Sequence, residues 1–182
     1  MSKVIGIIGE SGSGKTTSLR NLDPKTTFYI DCDTKGLNWK GWRKQYNVEN
    51  KNYWKTDNPS VVQATLEKIN AQENMKHIKT VVIDTINGIM VAEEMRNAKV
   101  QSDGKWTDLA QYIYEIIDYS LTMREDLFVI ILAHSETISD DNGYLFTRIK
   151  TNGRKLDKIV LESKLTTVLL ADQKDGRYIF HT

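Results

Sequence analysis

The run Gly9-Glu10-Ser11-Gly12-Ser13-Gly14-Lys15-Thr16 is the part of this chain best suited to chemistry. It fits the phosphate-loop pattern G-x-x-x-x-G-K-[ST] at every fixed position. Glycines let the backbone turn so that successive N–H groups point at phosphate oxygens, and a following helix adds the positive end of its dipole. We expect Lys15 to reach the β- and γ-phosphates and the Thr16 hydroxyl to bind Mg²⁺. Residues 9–16, with Thr17 directly after them, therefore predict a nucleoside triphosphate site.

A second motif, Val81-Val82-Ile83-Asp84, has the form of a Walker B strand. Its three apolar residues suit a buried strand, and Asp84 follows where that strand would end. We expect this carboxylate to hold, through water, the Mg²⁺ that Thr16 also binds. A helix N-cap is the alternative reading of an aspartate in this position.

The residue after Asp84 is Thr85, whereas many ATPases place a water-activating glutamate there. Efficient hydrolysis then needs a carboxylate from elsewhere in the chain. Asp31 and Asp33 follow the second predicted strand, and strand ends line the crevice of such sheets. In an extended chain residues two apart point the same way, so we predict Asp33 as the base and Asp31 as its neighbour. Solvated loop acids are the alternative.

His134 follows the apolar run 127–133, where a polar side chain beside the phosphate loop could sense the γ-phosphate. A histidine ring can donate a hydrogen bond in either protonation state. An ordinary surface histidine is the competing interpretation.

Residues 148–164 carry six positive and two negative side chains in a chain whose net charge is +1. Such a stretch suits a phosphate backbone, or residues that reach the nucleotide of a neighbouring subunit. A solvated basic face is the alternative. The candidates are Arg148, Lys150, Arg154, Lys155 and Lys158.

Four aromatic residues could stack on bases, but we expect them to pack in the core or on the surface of the protein instead. They are Trp39, Trp42, Tyr53 and Trp54.

The elements that must position these residues alternate along the chain. We predict strands over residues 3–8, 26–30, 79–84 and 127–133, and helices over 15–22, 36–46, 59–70, 86–97 and 107–124. Loops are expected at 101–104 and 139–143, and Asp175-Gly176 predicts a terminal two-residue hairpin. This alternation indicates a doubly wound, mostly parallel α/β sheet in one domain, residues 1–182.

Amino-acid composition indicates the broad class of protein. The 182 residues are 40% apolar and 27% charged. These fractions are ordinary for a globular protein. Cys32 is the only cysteine. Neither an intrachain disulfide nor a cysteine-rich zinc site is therefore possible. No run is long enough to span a membrane, and the first predicted strand begins at residue 3, so we expect no signal peptide and a cytoplasmic protein.

The motifs together resemble the RecA-type ATPase core. They are the phosphate loop, the strand end Ile30-Asp31-Cys32-Asp33, the pair Asp84-Thr85, and His134. More narrowly, the chain looks like the phage-encoded RecA-like proteins of the Sak single-strand-annealing group, and residues 152–158 look like one of their segments. The resemblance implies a RecA-like P-loop fold that binds Mg²⁺ and ATP. It also gives Asp33 the position of the catalytic glutamate, and His134 that of the glutamine that links nucleotide state to DNA.

The resemblance implies an ATPase that acts on single-stranded DNA in phage recombination or annealing. Residues 135–150 would be a mobile DNA-binding loop, the chain would form a homo-oligomer in the host cytoplasm, and a single-strand-binding protein is a further candidate partner. Asp33 is shorter than glutamate, which predicts slower activation of water.

The alternative functions are a small-molecule kinase and a nucleotide switch with little turnover. No N-K-x-D guanine motif and no L-S-G-G-Q signature occur, which argues against a GTPase and an ABC-type ATPase.

Overall fold

A computed structural model describes residues 1–99, 104–152, 156 and 159–182, with the backbone alone at 104–107. In chain order the elements are β1 (Lys3–Gly9), α1 (Lys15–Ser18), β2 (Thr27–Asp31), α2 (Trp42–Gln45), β3 (Tyr53–Lys55), α3 (Pro59–Ala71), β4 (Thr80–Asp84), α4 (Ile86–Arg96), α5 (Gly104–Thr122), β5 (Phe128–Ser139), β6 (Leu145–Ile149), β7 (Thr167–Lys174) and β8 (Arg177–His181). Short 3₁₀ turns occupy Glu73–Met75 and Leu161–Lys164.

One mixed sheet organises these strands in the order β3-β2-β4-β5-β1-β7-β8, with β6 paired to β5. All pairs from β3 to β7 are parallel, and the pairs β5–β6 and β7–β8 are antiparallel. This is the P-loop α/β fold that the sequence predicts, with the terminal hairpin included. At its turn Asp175 and Gly176 have φ of 52° and 75°. Positive φ at both positions is what a two-residue loop between twisted strands requires.

Helices cover both faces of the sheet, and alternate residues of the central strands point to opposite faces. On one face α3, α4 and α5 pack against Val81, Ile83 and Ile131. On the other face the segments around α1 and α2 pack against Tyr29, Val82 and Leu132. Burial on both faces explains why residues 127–133 form an uninterrupted apolar run.

Several element bounds differ from the predictions. The helix expected over 15–22 ends at Ser18, and the one expected over 36–46 is a single turn; α3, α4 and α5 agree with the predicted ranges to within three residues. The strand β3 was not predicted, since three residues carry little periodicity. The strand expected over 127–133 continues to Ser139, because it pairs with β6. Within the described ranges, no helix has the length and hydropathy of a membrane span.

Candidate nucleotide-binding site

The phosphate loop connects β1 to α1 at the carboxyl edge of the parallel sheet. Gly12 and Gly14 have φ of 83° and 88°. Glycine adopts this left-handed conformation without penalty. Lys15 lies inside the loop and is only 6% exposed. Its Nζ donates to the carbonyl oxygens of Gly9 and Glu10, at 2.7 Å each. Burial lowers the pKa of Lys15, although nearby Asp84 opposes that shift. The lysine is therefore held where phosphate oxygens of a nucleotide would lie.

Asp84 ends β4 next to the loop, as its motif predicts. Its Oδ2 accepts hydrogen bonds from Thr16 Oγ1 at 2.8 Å and from the Tyr29 hydroxyl at 2.5 Å. Its Oδ1 is buried and has no hydrogen-bond partner among the described residues. Burial raises the pKa of the Asp84 carboxyl, and the bonds from Tyr29 and Thr16 act in the opposite direction.

These contacts fit a magnesium site. An oxygen that is buried without a donor is costly unless a cation or a water satisfies it. Asp84 Oδ1 is such an oxygen, and the Thr16 hydroxyl lies beside the same carboxylate. Mg²⁺ prefers oxygen ligands and commonly takes one or two protein groups together with substrate phosphates. Thr16 and Asp84 are thus the residues that could hold the ion.

Asp33 lies beside this pair, just after the end of β2. Thr85 Oγ1 donates to Asp33 Oδ1 at 2.8 Å, and Lys35 Nζ forms an ion pair with Asp33 Oδ2 at 2.5 Å. The Asp33 side chain is 13% exposed, and that of Lys35 is 62% exposed. Although partial burial opposes it, the bond to Asp33 raises the pKa of Lys35. The Asp33 carboxylate is therefore partly buried, and its partner cation, Lys35, lies on the surface.

Asp31 has a different environment from Asp33. It is 2% exposed, and its Oδ2 accepts from Gly36 N and from the Tyr53 hydroxyl, both at 2.7 Å. The two carboxylates thus share no hydrogen-bond partner among the described residues, although the sequence predicts that they point the same way. The reason is that β2 ends at Asp31. The N–H groups of Cys32 and Asp33 both donate to the carbonyl oxygen of Asp84, so the chain no longer continues as a strand between the two carboxylates. Asp31 fastens the segment around Gly36 to β3.

His134 lies in β5 directly opposite Gly9 of β1. Together with Lys15, Thr16, Asp84 and Thr85 it lines a cavity of about 380 Å³. Its backbone N–H donates to Asn87 Oδ1 at 2.7 Å, and Asn87 Nδ2 donates to the carbonyl oxygen of Lys150 at 2.8 Å. Burial, followed by the charge of Lys15, lowers the pKa of His134. A neutral imidazole therefore faces the cavity at neutral pH.

The segment expected as a mobile loop after His134 forms an antiparallel hairpin. Ser135 to Ser139 pair with Ile149 to Leu145, and the turn contains Asp140 and Gly143. Of the predicted basic residues, Arg148 forms an ion pair with Glu136 at 2.8 Å. Lys150 is exposed and lines a groove with Glu10, Ser11 and His134. Arg154, Lys155 and Lys158 lie outside the described residues.

Four residues of the site were missed in the sequence. Tyr29 donates to Asp84, Lys35 pairs with Asp33, and Asn87 connects His134 to Lys150. Tyr178 of β8 packs over the loop so closely that a Cβ on Gly14 would lie 2.7 Å from its ring. Only Asn87 carried a usable signal, a polar residue in the first turn of a predicted helix. Tyr29 and Tyr178 depend on contacts between distant segments, and the pairing of Lys35 with Asp33 depends on how the chain turns after β2.

Fold and site together define a P-loop nucleotide-binding protein. The phosphate loop lies between a parallel strand and a helix, and the Walker B carboxylate contacts its threonine. A family model described as an AAA domain matches residues 1–181, and the chain belongs to that family, a nucleotide-binding P-loop ATPase domain. No curated protein matches the chain.

Proposed function

We propose that this protein hydrolyses ATP in a Mg²⁺-dependent reaction and acts on single-stranded DNA, in recombination or annealing of the kind found in phages. The observation that carries the ATPase part of the proposal is Asp84 Oδ1, which is buried beside Thr16 and has no donor in the part of the chain that the structure describes. It supports a cation at the tip of β4, next to the lysine that would contact the phosphates.

In this proposal each residue of the site has a defined task. Lys15 leaves the carbonyl oxygens of Gly9 and Glu10 to bind the β- and γ-phosphates. Thr16 and Asp84 would hold Mg²⁺, and the ion would supply positive charge to offset that of the phosphates. Asp33 accepts a proton from the attacking water, and Thr85 orients the Asp33 carboxylate through its hydroxyl. Asp31 supports this arrangement through Gly36 and does not contact the reacting atoms.

His134 and the hairpin would couple nucleotide to DNA. His134 lines the cavity beside Lys15, and its backbone is tied through Asn87 to Lys150 at the far end of the hairpin. The hairpin exposes Tyr144, Leu145 and Phe146, which are 73%, 74% and 46% exposed. Exposed aromatic rings suit single-stranded nucleic acid, because bases stack on them. Binding of the γ-phosphate at His134 would alter this hairpin, and oligomer formation would let basic residues reach a neighbouring nucleotide.

The proposal is tested by phosphate release from Mg²⁺–ATP, with and without an unstructured oligothymidylate. We expect hydrolysis that is stimulated by the oligonucleotide and lost in Lys15→Ala. Tyr144→Ala should reduce the stimulation and leave the DNA-free rate unchanged. Transfer of phosphate to a small molecule instead of water would indicate that the protein is a small-molecule kinase.

A low-turnover nucleotide switch is a second candidate, and one observation favours it. The carboxylate of Asp33 forms an ion pair with Lys35. The Lys35 ammonium thereby occupies an oxygen of the carboxylate that would accept the proton of the attacking water. If the ion pair persists when nucleotide binds, ATP would be bound and released with little hydrolysis. Lys35→Ala distinguishes the two: faster hydrolysis in this variant would indicate that Lys35 restrains the base.

A further inference from the structure

The sheet ends at β3 in an apolar groove that the proposed nucleotide site does not use. Its volume is about 440 Å³, and its lining is mostly apolar. The groove is lined by residues from α2, the loop after it and β3: Trp42, Arg43, Tyr46, Val48, Tyr53 and Trp54, together with Asn47 and Lys55. Along its outer side, β3 pairs with no strand of the described chain.

The rings of this groove are arranged to receive a side chain and not a row of bases. Tyr46 and Tyr53 are 1% and 6% exposed and form its floor, and Trp42 packs on Tyr53 with a centroid distance of 5.3 Å. The Arg43 guanidinium covers Trp42 at 4.7 Å. Trp54, at 45% exposed, is the ring of the groove with a large open face. Successive bases each need an open ring, whereas a concave apolar floor suits one bulky apolar group.

Arg43 and Lys55 form a basic rim on the groove, within a basic segment of the chain. Residues 40–55 contain five basic side chains and one acidic one, Glu49. All five are exposed, and none forms an ion pair with another described residue; they are Lys40, Arg43, Lys44, Lys51 and Lys55. The whole chain has a net charge of only +1, so the positive excess is local to the segment that forms the groove.

We propose that the groove binds an acidic peptide segment of a partner protein, with one bulky apolar side chain inserted against Trp54 and acidic residues facing the basic rim. Apolar burial in a pocket supplies the affinity of such sites, and complementary charge supplies association rate and selectivity. The groove is small for a protein interface, so the interaction is of the short-motif kind.

The test uses a fluorescein-labelled peptide in which a single phenylalanine is flanked on both sides by aspartates, and the full chain. Fluorescence anisotropy should show binding that weakens as salt increases. Trp54→Ala should weaken binding by at least about tenfold, since truncation of a central anchor commonly has this effect. Lys55→Glu should also weaken it. Both side chains are exposed, so both variants should fold.

Matched controls distinguish binding in the groove from nonspecific binding elsewhere on the protein. Lys68→Glu on α3 and Tyr144→Ala on the hairpin change an exposed cation and an exposed ring elsewhere, and both should bind the peptide like the wild type. A peptide with serine in place of phenylalanine should bind weakly, and one with lysines in place of aspartates should not bind. Lys15→Ala should bind the peptide normally, because the groove does not depend on nucleotide.

Three results would overturn the proposal. The first is no detectable binding of the aspartate–phenylalanine peptide at low salt. The second is equal binding by the wild type and Trp54→Ala. The third is binding of an oligothymidylate that Trp54→Ala and Lys55→Glu abolish, which would assign the groove to nucleic acid.

Discussion

Thr85 Oγ1 donates a hydrogen bond of 2.8 Å to Asp33 Oδ1, so the residue that follows the Walker B aspartate orients a carboxylate from a neighbouring strand. The ends of β2 and β4 meet here because Asp31 and Asp84 are register partners in adjacent parallel strands. In many ATPases a glutamate at the position of Thr85 would itself activate water. In this chain the two tasks are divided: one residue carries the hydroxyl that orients, and another carries the carboxylate that we propose as base.

Asp33→Asn tests the base directly. We expect ATP binding to stay within a few-fold of wild type and the hydrolysis rate to fall by about a hundredfold or more, because the amide cannot accept the proton. Single-turnover phosphate release and nucleotide titration measure the two quantities.

Asp31→Asn is the matched control for this variant. The Asp31 carboxylate is buried against Gly36 and Tyr53. Its replacement should lower the free energy of unfolding by about 1–3 kcal/mol, because an amide oxygen accepts these buried hydrogen bonds less strongly than a carboxylate. The rate should change little, because both bonds lie away from the reacting atoms. A larger rate loss in Asp31→Asn than in Asp33→Asn would move the base to Asp31.

Thr85→Val tests the orienting bond. The hydroxyl also caps α4, where it accepts from Gly88 N at 3.2 Å. Loss of such a cap should cost about 1 kcal/mol of stability. We expect slower hydrolysis as well, with ATP affinity unchanged. Thr85→Ser retains the hydroxyl and should restore both stability and rate. If valine lowered stability but left the rate intact, Thr85 would be a helix cap only.

Tyr29→Phe removes one of the two donors to Asp84 Oδ2 and keeps the ring that packs against Trp39, Tyr46 and Tyr53. Residues that support a metal ligand commonly affect its affinity by tenfold or more, so we expect nucleotide binding to require about tenfold more Mg²⁺. Isothermal titration at several Mg²⁺ concentrations measures this. Tyr46→Phe removes a hydroxyl that donates to the Leu22 carbonyl oxygen instead, and its Mg²⁺ dependence should match wild type.

His134 predicts a pH dependence of stability. Burial lowers its pKa in the folded protein below the ordinary value of 6.5, so the unfolded chain takes up a proton first as the pH falls. At pH values above 6.5 the free energy of unfolding should therefore be at its full value. It should decrease as the pH falls from 6.5 towards the lower pKa of the folded protein. Denaturant unfolding at pH values around this range should show a smaller decrease for His134→Gln than for wild type. Equal slopes for the two proteins would contradict the assignment.

The motifs that rest on local geometry were predictable from sequence. The phosphate loop needs a strand, glycines and a helix in succession, and its Lys15 and Thr16 lie at the loop as predicted. Asp84 follows an apolar strand whose register brings it to Thr16. The alternation of strands and helices was enough to predict a mostly parallel sheet, and Asp175-Gly176 was enough to predict the terminal hairpin.

The remaining features depend on the chain beyond each motif. The different environments of Asp31 and Asp33 follow from the end of β2, where the N–H groups of Cys32 and Asp33 both donate to the Asp84 carbonyl oxygen, a contact between distant segments. Tyr29 reads as one more core residue of a strand, and only the register of β2 on β4 brings its hydroxyl to Asp84. The hairpin after His134 is polar on much of its length, so the extension of β5 to Ser139 left no apolar alternation to detect.

Every role proposed above depends on hydrolysis of ATP at the phosphate loop, with Lys15 in contact with the phosphates. The most direct test is Mg²⁺-dependent phosphate release by purified wild type and Lys15→Ala, each with and without oligothymidylate, with Lys25→Ala as an exposed-lysine control. We predict release by wild type and Lys25→Ala, stimulation of both by the oligonucleotide, and no release above background by Lys15→Ala. Near-normal release by Lys15→Ala would contradict hydrolysis at the phosphate loop.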